Sequence, residues 1–202
     1  MKTANKTLTE QARHSLKGNW KIVITAFVVS GLVTLVARVI PLINLIVPIL
    51  IAGPIALGLS GFSLNIARGK TLQIKQIFSG FDIFGTALAT YLLSILFTIL
   101  WTLLLIVPGI IAAFSYSQIF FILADDPKTT PMEAITKSKK MMYGNKWKLF
   151  CLGLRFVGWG ILCIFTLGIG LLWLIPYVFV SYAKFYEDVK HHHVKKDEPV
   201  MA

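Results

Sequence analysis

A chain of 202 residues that is 56% apolar and only 14% charged, with a mean hydropathy of +0.74, is not an ordinary water-soluble domain, in which about a quarter of the residues are charged. The formal net charge is +11, but the lysines and arginines crowd beside long apolar runs. That placement points to anionic lipid headgroups as partners and away from nucleic acid.

The apolar sequence falls into three blocks. Between Ile22 and Ala67 the only charge is Arg38, between Ile83 and Ala124 there is none, and between Leu149 and Ala183 there is only Arg155. A membrane span needs about 20 residues, so each block is long enough for two. About twenty polar residues precede the first block, with no small-x-small cleavage pattern behind a short apolar core, so the first span is expected to be retained.

The N-terminal stretch "TLTEQARHSLKGNWKI" (7–22) predicts a helix with Leu8, Ala12 and Leu16 on one face and Thr7 with Glu10 as a capping box. It ends at Gly18, Asn19 and Trp20, where a span over 21–40 begins. Pro41, Asn44 and Pro48 predict a turn, because proline lacks a backbone donor and its predecessor resists helical geometry. A second span follows over 46–67. "GLSGF" (58–62) has no strand before it, so Gly58 and Gly61 serve close helix packing and Ser60 is no catalytic elbow.

The segment 71–84 carries a short stripe of Leu72, Ile74, Ile77 and Phe78, then Gly80 and Phe81. Spans three and four are expected over 84–106 and 109–124, divided at "VPGI". In "TPMEAITKSKKMMYGNKWKLF" (130–150), Thr130 and Glu133 make a capping box with Pro131 at the first helical position. The face Met132, Ile135, Lys139 and Met142 leads to Gly144, Asn145 and Trp147. Spans five and six, 147–165 and 171–186, divide at "FTLGIG".

These segments predict an all-α, polytopic bundle of about six transmembrane helices. They form three tandem hairpins, each preceded by an interfacial amphipathic helix whose apolar edge dips into headgroups. The repeats are 7–70, 71–129 and 130–189, in a single membrane domain over 1–189, followed by a hydrophilic, disordered tail over 190–202. Glycine then aromatic recurs at each elbow, about 63 residues apart, where a surface helix turns into a span and tryptophan reaches the interfacial belt. The turns within hairpins lack lysine and arginine, so the positive-inside rule places both termini in the cytoplasm.

The quoted stretches "ARHSLKGNWKIVI", "LIVPGIIAAFSYSQIFFILADDP" and "AITKSKKMMYGNKWKLFCLGLRFVGWGILCIFTLGIGLLWLIPYVFVSYAKFYEDV" resemble a bacterial integral-membrane family catalogued as domain of unknown function 975. The resemblance covers roughly residues 8 to 189 and is most specific in the third unit. It implies a multi-pass protein of the bacterial cytoplasmic membrane and transfers no catalytic residue.

Chemistry-bearing residues are few. Arg155 lies about 12 Å along its span and is expected to snorkel or meet a lipid phosphate, alongside Lys139, Lys140, Lys146 and Lys148. Ser115, Tyr116, Ser117 and Gln118 form a candidate polar crevice, or else interhelical hydrogen bonds. The adjacent pairs Asp125–Asp126 and Glu187–Asp188 are weak as metal sites. Cys151 and Cys163 have no metal-ligand spacing, and His191, His192 and His193 sit in the tail. No metal and no cofactor are expected. The sequence predicts a non-enzymatic, lipid-interacting or partner-supporting membrane protein, with self-association or a membrane-protein partner. The alternative is a small transporter with a polar pathway between hairpins.

Overall fold

Residues 3–39 and 46–197 are described by the computed structural model, with side chains over 3–36 and 47–192. Every regular element among them is helical. In chain order these are α1 (Asn5–Leu16), α2 (Trp20–Val39), α3 (Ile46–Ala67), a 3-10 helix (Ile74–Phe81), α4 (Phe84–Leu104), α5 (Ile106–Tyr116), α6 (Ile119–Asp125), α7 (Pro131–Met142), α8 (Lys146–Phe165) and α9 (Leu171–Asp197).

Four of these stretches are long and apolar enough to cross a membrane: Val47–Ala67, Phe84–Leu104, Ile106–Asp125 and Lys146–Phe165. The expected first span, α2, passes only together with α1, to which it is bent by 98°, and the expected sixth span is outside that set. The turn expected at Pro41 and Asn44 falls outside the described residues. α9 starts apolar and continues unbroken into Lys184, Glu187 and Asp188. The same helix runs on through His191 and His192 to Asp197, into the segment expected as a hydrophilic tail from 190.

The two short helices before α2 and α8 form, but their apolar faces are spent on protein rather than on headgroups. Leu8, Ala12 and Leu16 of α1 are essentially inaccessible. α1 lies along α9, where Tyr177 Oη donates to the Thr9 carbonyl at 3.1 Å and Thr3 N–H to Asp188 at 3.2 Å. α7 buries Ala134, Ile135, Ser138, Met141 and Met142 against its neighbours, while Met132 and Lys139 stay outside. The burial of an amphipathic stripe is the ordinary solution for a helix with one apolar face. What the sequence leaves open is which apolar phase receives it.

Local capping follows the sequence in α7 and departs from it in α1. Glu133 N–H donates to Thr130 Oγ1 at 3.4 Å, and Thr130 N–H to Glu133 Oε2 at 3.0 Å, with Pro131 opening the helix. α1 instead begins at Asn5, one turn before the expected box, so Thr7 and Glu10 lie inside it. The segment 71–84 makes a 3-10 helix pressed onto α3. A methyl group at Gly58 would overlap the Ile77 carbonyl, and one at Gly80 the Pro54 carbonyl. Gly80 is therefore required by close approach. The same reading of Gly58 as a packing residue holds, while Gly61 has only an ordinary contact with Ala124.

The core gathers at the end of the molecule that holds α1, α6, α7 and the second half of α3, together with Leu149, Leu152 and Phe156 of α8 and residues 180–189 of α9. The opposite end is unpacked. Leu103 is 83% exposed at the α4–α5 tip, and Phe165 and Leu167 are 83% and 94% exposed at the α8–α9 tip. The α8–α9 turn falls at the expected glycines, with Leu167 and Gly168 at positive φ. The α4–α5 break comes at Leu105, slightly before "VPGI", because Pro108 is tolerated in the first turn of α5.

Candidate functional site

At the packed end, three chain segments that leave the apolar region meet through opposite charges. Arg68, just past α3, places Nη2 2.6 Å from Asp125 Oδ1 at the end of α6 and 2.6 Å from Glu187 Oε1 on α9, with Nε 2.9 Å from the same Glu187 oxygen. Asp125 Oδ2 also accepts from Tyr186 Oη at 3.0 Å and from Lys190. Lys184 Nζ donates to the Ala67 carbonyl at 2.5 Å, satisfying a carbonyl at the end of α3. The Arg68 guanidinium is half-exposed. Burial disfavours its charge, but the hydrogen bonds to Asp125 and Glu187 outweigh that and raise its pKa.

A second node pins the beginning of the chain. Lys148 Nζ of α8 lies 2.6 Å from Asp188 Oδ2, and Thr3 donates to Oδ1 through N–H and hydroxyl. Lys148 also stands 5.6 Å over the Phe185 ring. Burial raises the Asp188 pKa, but the hydrogen bonds from Lys148 and Thr3 prevail and hold it below the usual carboxylate range. The two acidic pairs therefore serve as ion-pair partners. Asp126 accepts from Thr129 Oγ1 at 2.9 Å and stands 3.9 Å from Lys137. Among the described residues no cluster of three histidine, cysteine or acidic side chains could hold a metal. His191 and His192 stand 3.7 Å from Glu187 and Asp188, one turn back on the same helix. Cys151 and Cys163 are free thiols, half-buried.

The first and third elbows share one backbone. Leu16–Asn19 and Met142–Asn145 each make a turn closed by an N–H to carbonyl bond, 3.0 Å and 3.1 Å. Lys17 and Tyr143 are extended, and Gly18 and Gly144 take φ of +88° and +72°. This is a type II turn, whose third position requires φ > 0 and so selects glycine. α1 and α2 meet there at 98°. The asparagines differ: Asn19 is exposed, whereas buried Asn145 donates to the Met141 carbonyl at 2.7 Å. Trp20 is half-buried, and Trp147 is 74% exposed and stacked on Phe150 at 5.2 Å. In the middle unit, Phe81 lies in an exposed row with Phe78 and Phe84, ring centroids 6.4 Å and 6.3 Å apart.

The expected fourth span lies within the candidate span Ile106–Asp125, in which the helix is interrupted at Ser117–Gln118 between α5 and α6. Ser138 of α7 bridges the break: its hydroxyl donates to the Ser115 carbonyl at 2.6 Å and accepts from Gln118 N–H at 3.3 Å. Ser117 Oγ donates to the Phe114 carbonyl and accepts from Gln118 Nε2 at 3.0 Å. Ser115 and Tyr116 line a cavity of about 230 Å³ between the α4–α5 hairpin and the α7–α8 elbow, into which Lys139 and Lys146 also face. Arg155 is exposed on α8 and forms no ion pair among the described residues, and Lys140 is exposed on α7. Thus the structure brings Lys139, Lys146, Ser115 and Tyr116 together, directs Lys148 inward, and leaves Arg155 apart.

Arg68 is the residue that sequence reasoning passed over. Its signal was present: it is the first charge after its apolar block, as Asp125 and Glu187 are the first carboxylates after theirs. No curated protein and no solved structure matches the chain. A family model does match, over residues 95–193, from within α4 into α9. That stretch, just under half of the chain, contains the α7–α8 elbow and the Asp125, Glu187 and Asp188 nodes, and it is similar to the family described as Protein of unknown function (DUF975), the one the sequence resembles.

Proposed function

We propose that the protein is a non-enzymatic, multi-pass component of the bacterial cytoplasmic membrane whose basic face engages anionic lipid headgroups, with both termini on the cytoplasmic side. The observation that carries this reading is the division of the molecule along its length. The hairpin tips at Leu103–Val107 and Phe165–Leu167 are apolar and exposed, and an exposed apolar surface of this extent requires an apolar surrounding. The ion pairs of Arg68 and Lys148 draw on residues that flank the apolar blocks and on none from those tips.

Exposed Tyr143 and Trp147 at the third elbow, and the phenylalanine row at 78, 81 and 84, suit the level of the headgroups, where aromatic side chains collect. The shared turn at the first and third elbows supports descent from a repeated unit; the middle unit has diverged to a 3-10 helix.

Two measurements test the reading. With Cys151 and Cys163 replaced by serine, single cysteines at Lys137 and Leu167 are expected to label from opposite faces of inside-out and right-side-out vesicles. Labelling of both from one face rejects the topology. Reconstituted protein is also expected to prefer phosphatidylglycerol-containing bilayers over pure phosphatidylcholine, with the preference weakening in high salt. Equal affinity for both rejects the headgroup role.

A further inference from the structure

We infer that the cavity at the α7–α8 elbow is a site for one anionic phospholipid, its phosphate held between Lys139 and Lys146 and an acyl chain laid along Pro108, Ile111 and Trp101. This assignment rests on the lipid reading above and gives it an address.

Three features define the site. Its cationic groups come from two different helices, Lys139 near the end of α7 and Lys146 at the start of α8, brought to one cavity by the Gly144 turn. No carboxylate lines the cavity. The nearby acids are committed elsewhere: Glu133 to the α7 cap, Asp126 to Thr129 and Lys137, and Asp125 to Arg68. A phosphate entering there meets two ammonium groups, the Tyr116 side chain and no opposing charge. Charge-assisted hydrogen bonds of this kind are among the stronger ones.

The opposite wall is apolar. Pro108, Ile111, Ala112 and Trp101 close it, and it continues onto the exposed strip of Val107 and Ile110 at the hairpin tip. About 230 Å³ accommodates a phosphate and its glycerol but not a whole lipid, so the chains must leave along that strip, where the surface is already apolar.

The first elbow provides an internal contrast. Its turn is the same, and Arg13, His14, Lys17 and Trp20 line a cleft of about 490 Å³. Glu10 shares that cleft, and no hairpin wall covers it. It attracts headgroups diffusely, without a place for a chain.

The test is native mass spectrometry of the full chain released from nanodiscs of phosphatidylcholine with a minor share of phosphatidylglycerol. The wild type is expected to retain one phosphatidylglycerol. Lys139→Gln/Lys146→Gln is expected to weaken that binding on the order of thirtyfold, from roughly 1 kcal/mol for each of the two lysines. Lys17→Gln/Lys21→Gln removes the same charge at the other elbow and is expected to leave it unchanged.

The replaced lysines are exposed or half-buried, and circular dichroism checks that the helices persist. Equal loss in both double variants, retention by Lys139→Gln/Lys146→Gln, or no retained lipid in a wild type that still prefers anionic bilayers overturns the site while sparing the broader reading. Displacement of the lipid by glycerol phosphate at matched concentration overturns the lipid assignment in favour of a soluble phosphate. A wild type that shows no anionic preference in bilayers removes both.

Discussion

Single residues in this chain act mainly by what they exclude or neutralise. Gly58 is the sharpest case, since the space a side chain would need is filled by the Ile77 carbonyl. Gly58→Ala is expected to destabilise the protein by ~1–3 kcal/mol through overpacking, read as a lower midpoint of thermal unfolding in detergent. Gly85→Ala, also helical but with open space around its Cα, is expected to be neutral or stabilising by up to ~1 kcal/mol. Arg68→Leu is expected to cost ~1–3 kcal/mol, because Asp125 and Glu187 remain half-buried without their shared cation. Adding Asp125→Asn should recover part of that loss, a coupling that a double-mutant cycle measures.

Asp188 links residue chemistry to pH. Its pKa is lowered in the folded chain, since the bonds from Lys148 and Thr3 overcome the effect of burial. A lowered carboxylate pKa adds stability above the unfolded value, near 3.9, and that stability drains as pH falls through the lower folded value. The unfolding midpoint is therefore expected to stay level down to about pH 4 and to fall below it. Asp188→Asn is expected to lower the neutral-pH midpoint and to flatten the acid limb.

At the scale of elements, the sequence announces its helices through apolar length and its boundaries through glycine. The α7 cap, the Gly18 and Gly144 turns and the α8–α9 turn at Gly168 were all legible, because each depends on residues close in sequence. The break between α5 and α6 was not. Ser117 and Gln118 are no stronger as breakers than other polar residues in apolar helices. What stabilises the break is Ser138, contributed from α7 after an intervening turn.

The 3-10 helix was hidden for a related reason. Its apolar stripe fits an ordinary amphipathic helix, and its tight geometry follows from a close fit to α3 through Gly58 and Gly80. The face read on α1 is buried, whereas of the mixed face read on α7 Ile135 and Met142 are buried and Met132 and Lys139 are not; periodicity carries no information on whether lipid or protein will cover such a face. Similarly, Lys139 and Lys146 were legible as headgroup candidates one at a time. The cavity that joins them requires the α4–α5 hairpin to lie beside the elbow, a fact that exists only in three dimensions.

For the whole molecule, packing is graded from one end to the other. Half of the Val47–Ala67 stretch is buried inside the protein, against about a tenth of Phe84–Leu104. α3 is thus the central post, and α4 contributes little to the interior beyond Ala87 and Thr90. Substitutions on the outer face of α4 that keep its apolar character, such as Leu96→Ile, are expected to leave the unfolding midpoint within ~0.5 kcal/mol of wild type. Charged residues there should be far more costly in a bilayer than in detergent, because only the bilayer imposes a fixed apolar depth.

The bare hairpin tips imply that solvation by acyl chains completes this fold. Their backbone amides would exchange at a rate set by how deeply the margin of the bilayer covers them, whereas those of α3 and α9 near Arg68 would be shielded by tight protein contacts. Moving the protein from a thick bilayer to a thin one should therefore speed isotope exchange at Leu103–Val107 and Phe165–Leu167 first. The charged end should keep its slow amides until the entire molecule comes apart.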